Sequence, residues 1–203
     1  GGGMGLVQGT RLRLVTPATR MAMPEARIGL VPDVGATHFF QRMPAPLAHY
    51  LALTGATLAA ADAIFVGWAD AWAAVGTADE LPARLAAIEW SDPAGNGSAL
   101  VHLDANLTAL RRALARPAAA TAVDGAILPA QCEPIYRHFD PAIEVHALID
   151  SLERDAGEWA AATLALLRTR SPLMLALTAE AQHRARGQSL ADCLALEYRL
   201  IQH

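Results

Sequence analysis

At 203 residues the chain is long enough for one large domain, or for one domain with a helical annex. Hydrophobic residues make up 53% and charged residues 18%, which supplies a buried core and excludes disorder along the whole length. A net charge of −4 excludes a nucleic-acid backbone as the main partner, because binding there needs a positive surface. The basic side chains are all arginine, so a lysine Schiff base is excluded too. Cys132 and Cys193 are too few for a disulfide framework or a zinc site, and a reducing cytoplasm is the expected compartment. No apolar run reaches the roughly 20 residues of a membrane span, so no membrane partner is expected.

In chain order, residues 1–10 read as a glycine-rich turn entering a short helix, weakened by Gly5 and Gly9. Glycines kept inside a helix point to another backbone packed closely against it. Arg11 to Leu14 alternate in polarity and predict a short strand. A second extended piece runs from Arg20 to Pro24, since the residue before a proline is pushed toward β geometry. Val34 onward predicts a helix through Phe39, Phe40 and Met43. Pro46 then sits as the first residue of a helix running to Thr54 and stopped by Gly55. Residues 57–66 predict another helix, and 68–75 fit strand or helix equally.

Beyond this point the pattern is helical. Thr77 with Glu80 forms a capping-box signature ahead of Leu81, Leu85 and Ile88. Residues 91–98 are a loop, followed by a helix over 99–115 and a proline- and alanine-rich connector to Pro134. Asp140-Pro141 predicts the next helix start, with Val145, Leu148, Ile149 and Leu152 on one face. Gly157 interrupts, a helix resumes at Glu158, and Ser171 and Ser189 read as N-caps of two final helices. The organisation this predicts is residues 1–75 as a core carrying the chemistry and 76–203 as a helical C-terminal region.

The chemistry-bearing pattern is Gly1-Gly2-Gly3, Met23-Pro24-Glu25 and Pro32-Asp33-Val34-Gly35. A glycine turn opening a helix aims free N–H groups and the positive dipole end at one point, where an oxyanion can be held. Glu25 follows an extended piece and a proline, and Asp33 lies past a loop, which lets two carboxylates serve one pocket. Such a pair can divide the work between nucleophile or base and proton donor. Apolar neighbours Ala26, Ile28, Leu30 and Val31 predict a desolvated setting for them. Spacing alone leaves two solvated turn residues as the competing explanation.

Taken together, Gly-Gly-Gly-Met-Gly-Leu at 1–6, Met-Pro-Glu-Ala-Arg-Ile-Gly-Leu-Val-Pro-Asp-Val-Gly at 23–35 and Leu-Ala-Leu-Thr-Gly at 51–55 resemble the crotonase superfamily of enoyl-CoA hydratases and isomerases. Looser similarity continues through Ser171-Pro172 and Leu196-Glu197-Tyr198-Arg199-Leu200. The fold implied is α/β, the C-terminal part of a crotonase-type ββα spiral followed by a mostly helical region. Superfamily hydratases carry a glutamate where this chain has Gly5, and tend to carry glycine where it has Asp33. The 3-hydroxyisobutyryl-CoA hydrolase branch matches Gly2, Glu25 and Asp33 together.

That branch implies hydrolysis of a short 3-hydroxyacyl-CoA thioester in branched amino-acid (valine) breakdown. Glu25 would attack the thioester or activate water, and Asp33 would bind the substrate 3-hydroxyl or position water. The Gly2 N–H, with Gly1 and Gly3 beside it, would face the thioester oxygen. No cofactor is implied beyond the coenzyme A of the substrate, and no metal. The family has further chain before the triple glycine, holding a second oxyanion donor and most coenzyme A contacts. The chain therefore resembles a fragment that completes its fold with that N-terminal part or as a homo-oligomer. A hydratase or isomerase using Glu25 as base, and a catalytically incompetent fragment, are the competing functions.

Other residues fit packing better than chemistry. His38 beside Phe39 and Phe40 suits a helix surface or core. His102, His138, His146 and His183 lack zinc spacing. Cys132 has no local support as a nucleophile, and Trp68, Trp72, Trp90 and Trp159 read as packing residues. Glu197-Tyr198-Arg199 reads as structural.

Overall fold

Proline and glycine mark the ends of many of the elements. The computed structural model describes residues 2–74, 78–92, 97–116 and 125–202. Helix α1 (Gly2–Gln8) leads to strands β1 (Leu14–Val15) and β2 (Arg20–Met21), then a 3-10 turn at Glu25–Arg27. Helix α2 (Ala36–Phe39) continues into a 3-10 turn at Phe40–Arg42 and α3 (Ala45–Thr54). Strand β3 (Leu58–Ala59) runs into α4 (Ala60–Phe65), followed by β4 (Ala71–Trp72), a 3-10 turn at Ala78–Glu80 and α5 (Leu81–Ala86). Six helices complete the described chain: α6 (Ala99–Leu114), α7 (Leu128–His138), α8 (Val145–Arg154), α9 (Glu158–Leu167), α10 (Pro172–Ala185) and α11 (Leu190–Gln202). The architecture is α/β with short strands and a helical C-terminal region, as expected.

Two compact units interleave along the sequence: one comprises 1–9, 20–58 and 127–203, the other 10–19 and 59–126. In the first, α3 is the central element, packed against α7, α9 and α10. Every residue from Leu47 to Thr54 is buried, so α3 has no solvent stripe and its amphipathicity is negligible. The helix opens one residue earlier than expected, at Ala45, with Pro46 second, and Gly55 closes it at φ +64°, donating to Leu51 O. An aromatic cluster fills the space beside it. Phe139 meets Tyr50 edge-on at 5.1 Å, and Tyr50 lies 5.8 Å from Trp159. His138 ties α7 to α8 by sharing Nδ1 with Ser151 Oγ at 2.8 Å and Nε2 with Asp155 at 2.9 Å.

In the second unit β1 pairs in parallel with β4, Leu14 opposite Ala71 and Val15 opposite Trp72. The pair is locked by Arg13, which reaches Asp70 through Nε at 3.0 Å and Nη2 at 2.7 Å, while Asp70 also accepts the Arg13 N–H at 2.7 Å. Burial pushes the Asp70 pKa up, but these Arg13 hydrogen bonds outweigh it and leave the carboxyl below its ordinary value. A carboxyl depressed in the fold contributes stability above its unfolded pKa and loses it as pH falls through the folded one. The urea midpoint should therefore drop on acidification below about pH 3.9, and Asp70→Asn should flatten that part of the curve. An unchanged acid slope in Asp70→Asn would show the pair to be energetically silent.

Several expectations need correction. The strand predicted over 11–14 is confined to Leu14–Val15, because Arg13 is engaged sideways with Asp70 and Gly67 O. The helix predicted over 57–66 begins only at Ala60, after β3. The connector expected up to Pro134 contains α7, with Pro129 in its first turn, where a proline costs no hydrogen bond. Asp140-Pro141 forms a turn, Asp140 Oδ1 accepting from Ala142 N, and α8 starts at Val145. The capping residue Thr77 lies outside the described residues. Ser171 and Ser189 do cap, accepting from Met174 N and Asp192 N.

Candidate active site

Helix α1 carries glycines of two kinds. A Cβ at Gly2 or Gly3 would meet nothing within 4 Å, and both residues are exposed. A Cβ at Gly5 would lie 2.6 Å from Val34 O and 2.9 Å from Val34 Cβ. The first two leave the opening N–H groups of the helix accessible, whereas the third is required by close backbone contact. At the far end, Arg42 Nη1 donates to Gln8 O at 3.1 Å, placing a cation on the last turn. So α1 is fixed in its middle and at its C-terminus, with its glycine end open. Gly1 lies outside the described residues.

Glu25 is the first residue of the 3-10 turn and is 6% exposed. Its carbonyl accepts from Ile28 N and Leu30 N, both at 3.0 Å. The approach to it is held from behind by Gly55, where a Cβ would stand 3.1 Å from Pro24 Cα. Gly55 thus serves twice, taking the left-handed cap of α3 and letting that cap press on the backbone before Glu25. Met23 and Ala26, on either side, are each 1% exposed. The apolar loop expected around the carboxylates splits: Val31 is buried, while Ile28 and Leu30 are exposed.

Asp33 is half-buried, and its carbonyl accepts from Ala36 N at 3.0 Å. The next two residues are both left-handed, Val34 at φ +56° and Gly35 at φ +86°. For β-branched Val34 this is a strained conformation costing about 1–2 kcal/mol, kept only when its surroundings dictate it. Here Gly5 meets the backbone of Val34, and the carboxylate of Glu197 is bonded to Gly35 N at 2.7 Å and Thr37 N at 2.8 Å. The structure therefore brings α1 and the Asp33–Gly35 turn into contact, while Glu25 is seated against the end of α3. The part of Glu197 was not recoverable from its helical spacing. Its signal lay in its apolar neighbours, since a glutamate on the inner face of a helix needs a partner.

Among the described residues no group of three His, Cys, Asp or Glu is arranged to hold a metal ion, and no helix is long and apolar enough to cross a membrane. His38 is half-buried within α2, and Trp68 is 1% exposed, both consistent with packing. Trp90, by contrast, is 51% exposed.

The enoyl-CoA hydratase/isomerase family profile matches residues 1–203. The chain is 33% identical to 3-hydroxyisobutyryl-CoA hydrolase 1 of Arabidopsis thaliana, over all of this chain and 51% of that protein. It is also 33% identical to the mitochondrial 3-hydroxyisobutyryl-CoA hydrolase of Xenopus tropicalis, over all of this chain and 49% of that protein. The crystal structure of a carnitinyl-CoA dehydratase from Mycobacterium thermoresistibile superposes with a TM-score of 0.74 at 34% identity, covering 98% of this chain and 52% of that one. The chain thus spans about half the length of the curated relatives it matches, and its fold is crotonase-type.

Proposed function

The chain belongs to the enoyl-CoA hydratase/isomerase family, a family of acyl-CoA-processing proteins, and from that premise we propose that its protein is an acyl-CoA thioester hydrolase. The substrate is 3-hydroxyisobutyryl-CoA or a similarly short 3-hydroxyacyl-CoA. The observation that carries this reading is the contact between Gly5 and Val34. A hydratase dividing its work between two glutamates needs one at position 5, and there a Cβ alone would stand 2.6 Å from a backbone oxygen. Asp33, on the turn that closes position 5, supplies the second carboxylate instead.

In the proposed reaction the thioester oxygen lies at the open glycine end of α1, where the Gly2 N–H, with Gly3 and Gly1 beside it, stabilises its developing charge. Glu25 attacks the carbonyl carbon, or takes a proton from the water that does so. The C–S bond breaks and coenzyme A leaves as a thiolate, which takes up the proton given by the attacking water or, on the route through Glu25, by the water that later hydrolyses the anhydride. If Glu25 itself attacks, water then cleaves the resulting anhydride. Asp33 binds the 3-hydroxyl or positions the water. Coenzyme A is part of the substrate, and no separate cofactor takes part. Both cysteines are free thiols, which suits a reducing compartment such as the cytoplasm; the name of the Xenopus relative makes the mitochondrion the alternative. The hydroxy acid product fits a step in valine breakdown.

A hydratase or isomerase using Glu25 as sole base is the second reading, favoured by the likeness to the carnitinyl-CoA dehydratase. The role given to Asp33 has its own test. The full-length protein should cleave 3-hydroxyisobutyryl-CoA with a kcat/KM about tenfold or more above that for isobutyryl-CoA, since a hydrogen bond to a charged group contributes about 1.5–3 kcal/mol. Equal rates on the two thioesters would remove Asp33 from hydroxyl recognition.

A further inference from the structure

Glu197 lies on α11, 160 residues beyond the Thr37 it holds, and is 2% exposed. Oε2 accepts from Gly35 N at 2.7 Å; Oε1 accepts from Thr37 N at 2.8 Å and from Thr37 Oγ1 at 2.6 Å. A helix start is ordinarily capped by the side chain of its own N-cap residue. The N-cap of α2 is Gly35, which has none, so the cap comes from another helix. A buried carboxylate bonded by three donors is an expensive way to finish a four-residue helix. What it also fixes is the turn just before that helix.

The geometry points to Glu197 as a positioning residue for the proposed hydrolysis, holding Asp33 in place by clamping the left-handed Val34–Gly35 pair that follows it. This rests on Asp33 acting in the site proposed above. Three contacts enforce that pair. The Gly5 backbone abuts Val34, and Leu190 Cδ1 roofs Gly35, where a Cβ would stand 3.2 Å from it. Glu197 grips the Gly35 N–H. The first two exclude volume but set no orientation. The bond to Glu197 is directional, and it aligns the peptide plane joining Val34 to Gly35. With the Asp33 carbonyl already tied to Ala36 N, the backbone on the C-terminal side of Asp33 has no free rotation left. Without the clamp, Val34 relaxes toward negative φ, which is downhill for a β-branched residue, and Asp33 swings with it.

The test uses Glu197→Gln and Thr37→Val in the full-length protein. The glutamine is nearly isosteric but forces an amide N–H against one of the backbone donors, and the valine removes one donor while keeping shape. Hydrogen exchange should accelerate at Gly35 and Thr37 by about tenfold or more in Glu197→Gln, while the Leu51–Thr54 amides keep their protection. In the same variant kcat for thiol release should fall about 10²-fold with KM nearly unchanged, and Thr37→Val should fall less. Unaltered exchange at Gly35 and Thr37 would overturn the clamp. Faster exchange with an unaltered kcat, or a loss carried by KM or by global unfolding, would overturn the positioning role. If the wild type releases no thiol at all, the hydrolase reading fails by itself, and the exchange result still decides the clamp.

Discussion

Glu25→Gln in the full-length protein is expected to lower thiol release from 3-hydroxyisobutyryl-CoA by at least about 10²–10⁴-fold, the range lost with a positioned acid–base group. The substitution exchanges one oxygen for a nitrogen of similar size at a site that is 6% exposed. Its backbone is held by the two amides donating to the Glu25 carbonyl and by the Gly55 cap pressing on Pro24. These backbone contacts do not depend on the side-chain charge, and glutamine keeps the shape of the side chain, so coenzyme A affinity should be nearly unchanged. What disappears is a carboxylate that can attack the thioester or take a proton from water. Steady-state kinetics with a coenzyme A titration separates these effects. Turnover that survives the substitution would mean that another group carries the chemistry.

Gly5 is expected to tolerate no side chain whatever. Both Gly5→Ala and Gly5→Glu place a Cβ 2.6 Å from Val34 O, and the neighbour is backbone rather than the flexible end of a side chain. Relief requires moving either α1, held at its C-terminus by Arg42, or a turn already strained at Val34. Overpacking of this kind costs about 1–3 kcal/mol, and displacement of the turn should cost about 10²-fold in activity. The two variants should suffer alike, because the clash begins at Cβ. The glutamate variant should gain no hydratase activity despite restoring the acid that hydratases carry there. A Gly5→Ala protein with the parental melting temperature, or a Gly5→Glu protein that hydrates crotonyl-CoA, would show that the backbone yields.

Much of this arrangement was legible from the residues. Gly55 marks the end of α3, Ser171 and Ser189 mark two caps, and Gly5 marks a crowded helix whose neighbour is Val34, whereas Gly9 lies past the end of α1, exposed and in ordinary contact with Gly5 O and Leu6 O. Local rules worked at these helix ends, though not at Asp140-Pro141, where a local bond from Ala142 N to Asp140 makes a turn. They failed where tertiary contacts decided. Arg13 fits the polar member of an alternating strand, yet its guanidinium is taken up by Asp70 and Gly67 O. Pro134 was read as the end of a connector, yet it sits inside α7, whose buried Leu128, Ile135 and His138 hold the helix together despite the lost hydrogen bond. Val34 gave no warning, since valine is among the residues least suited to a positive φ. Its conformation is imposed from α1 on one side and from Glu197 on the other. In the same way the candidate residues Gly2, Glu25 and Asp33 could be named from their motifs, whereas the residue that braces one of them lies on the last helix.

The most direct measurement is the product formed by the full-length protein, followed in parallel as free thiol from 3-hydroxyisobutyryl-CoA and as hydration of crotonyl-CoA. Hydrolysis at the Glu25 and Asp33 site predicts catalytic release of thiol and free 3-hydroxyisobutyrate, with no hydration. Hydration of crotonyl-CoA without thiol release would contradict it and return the chain to the hydratases.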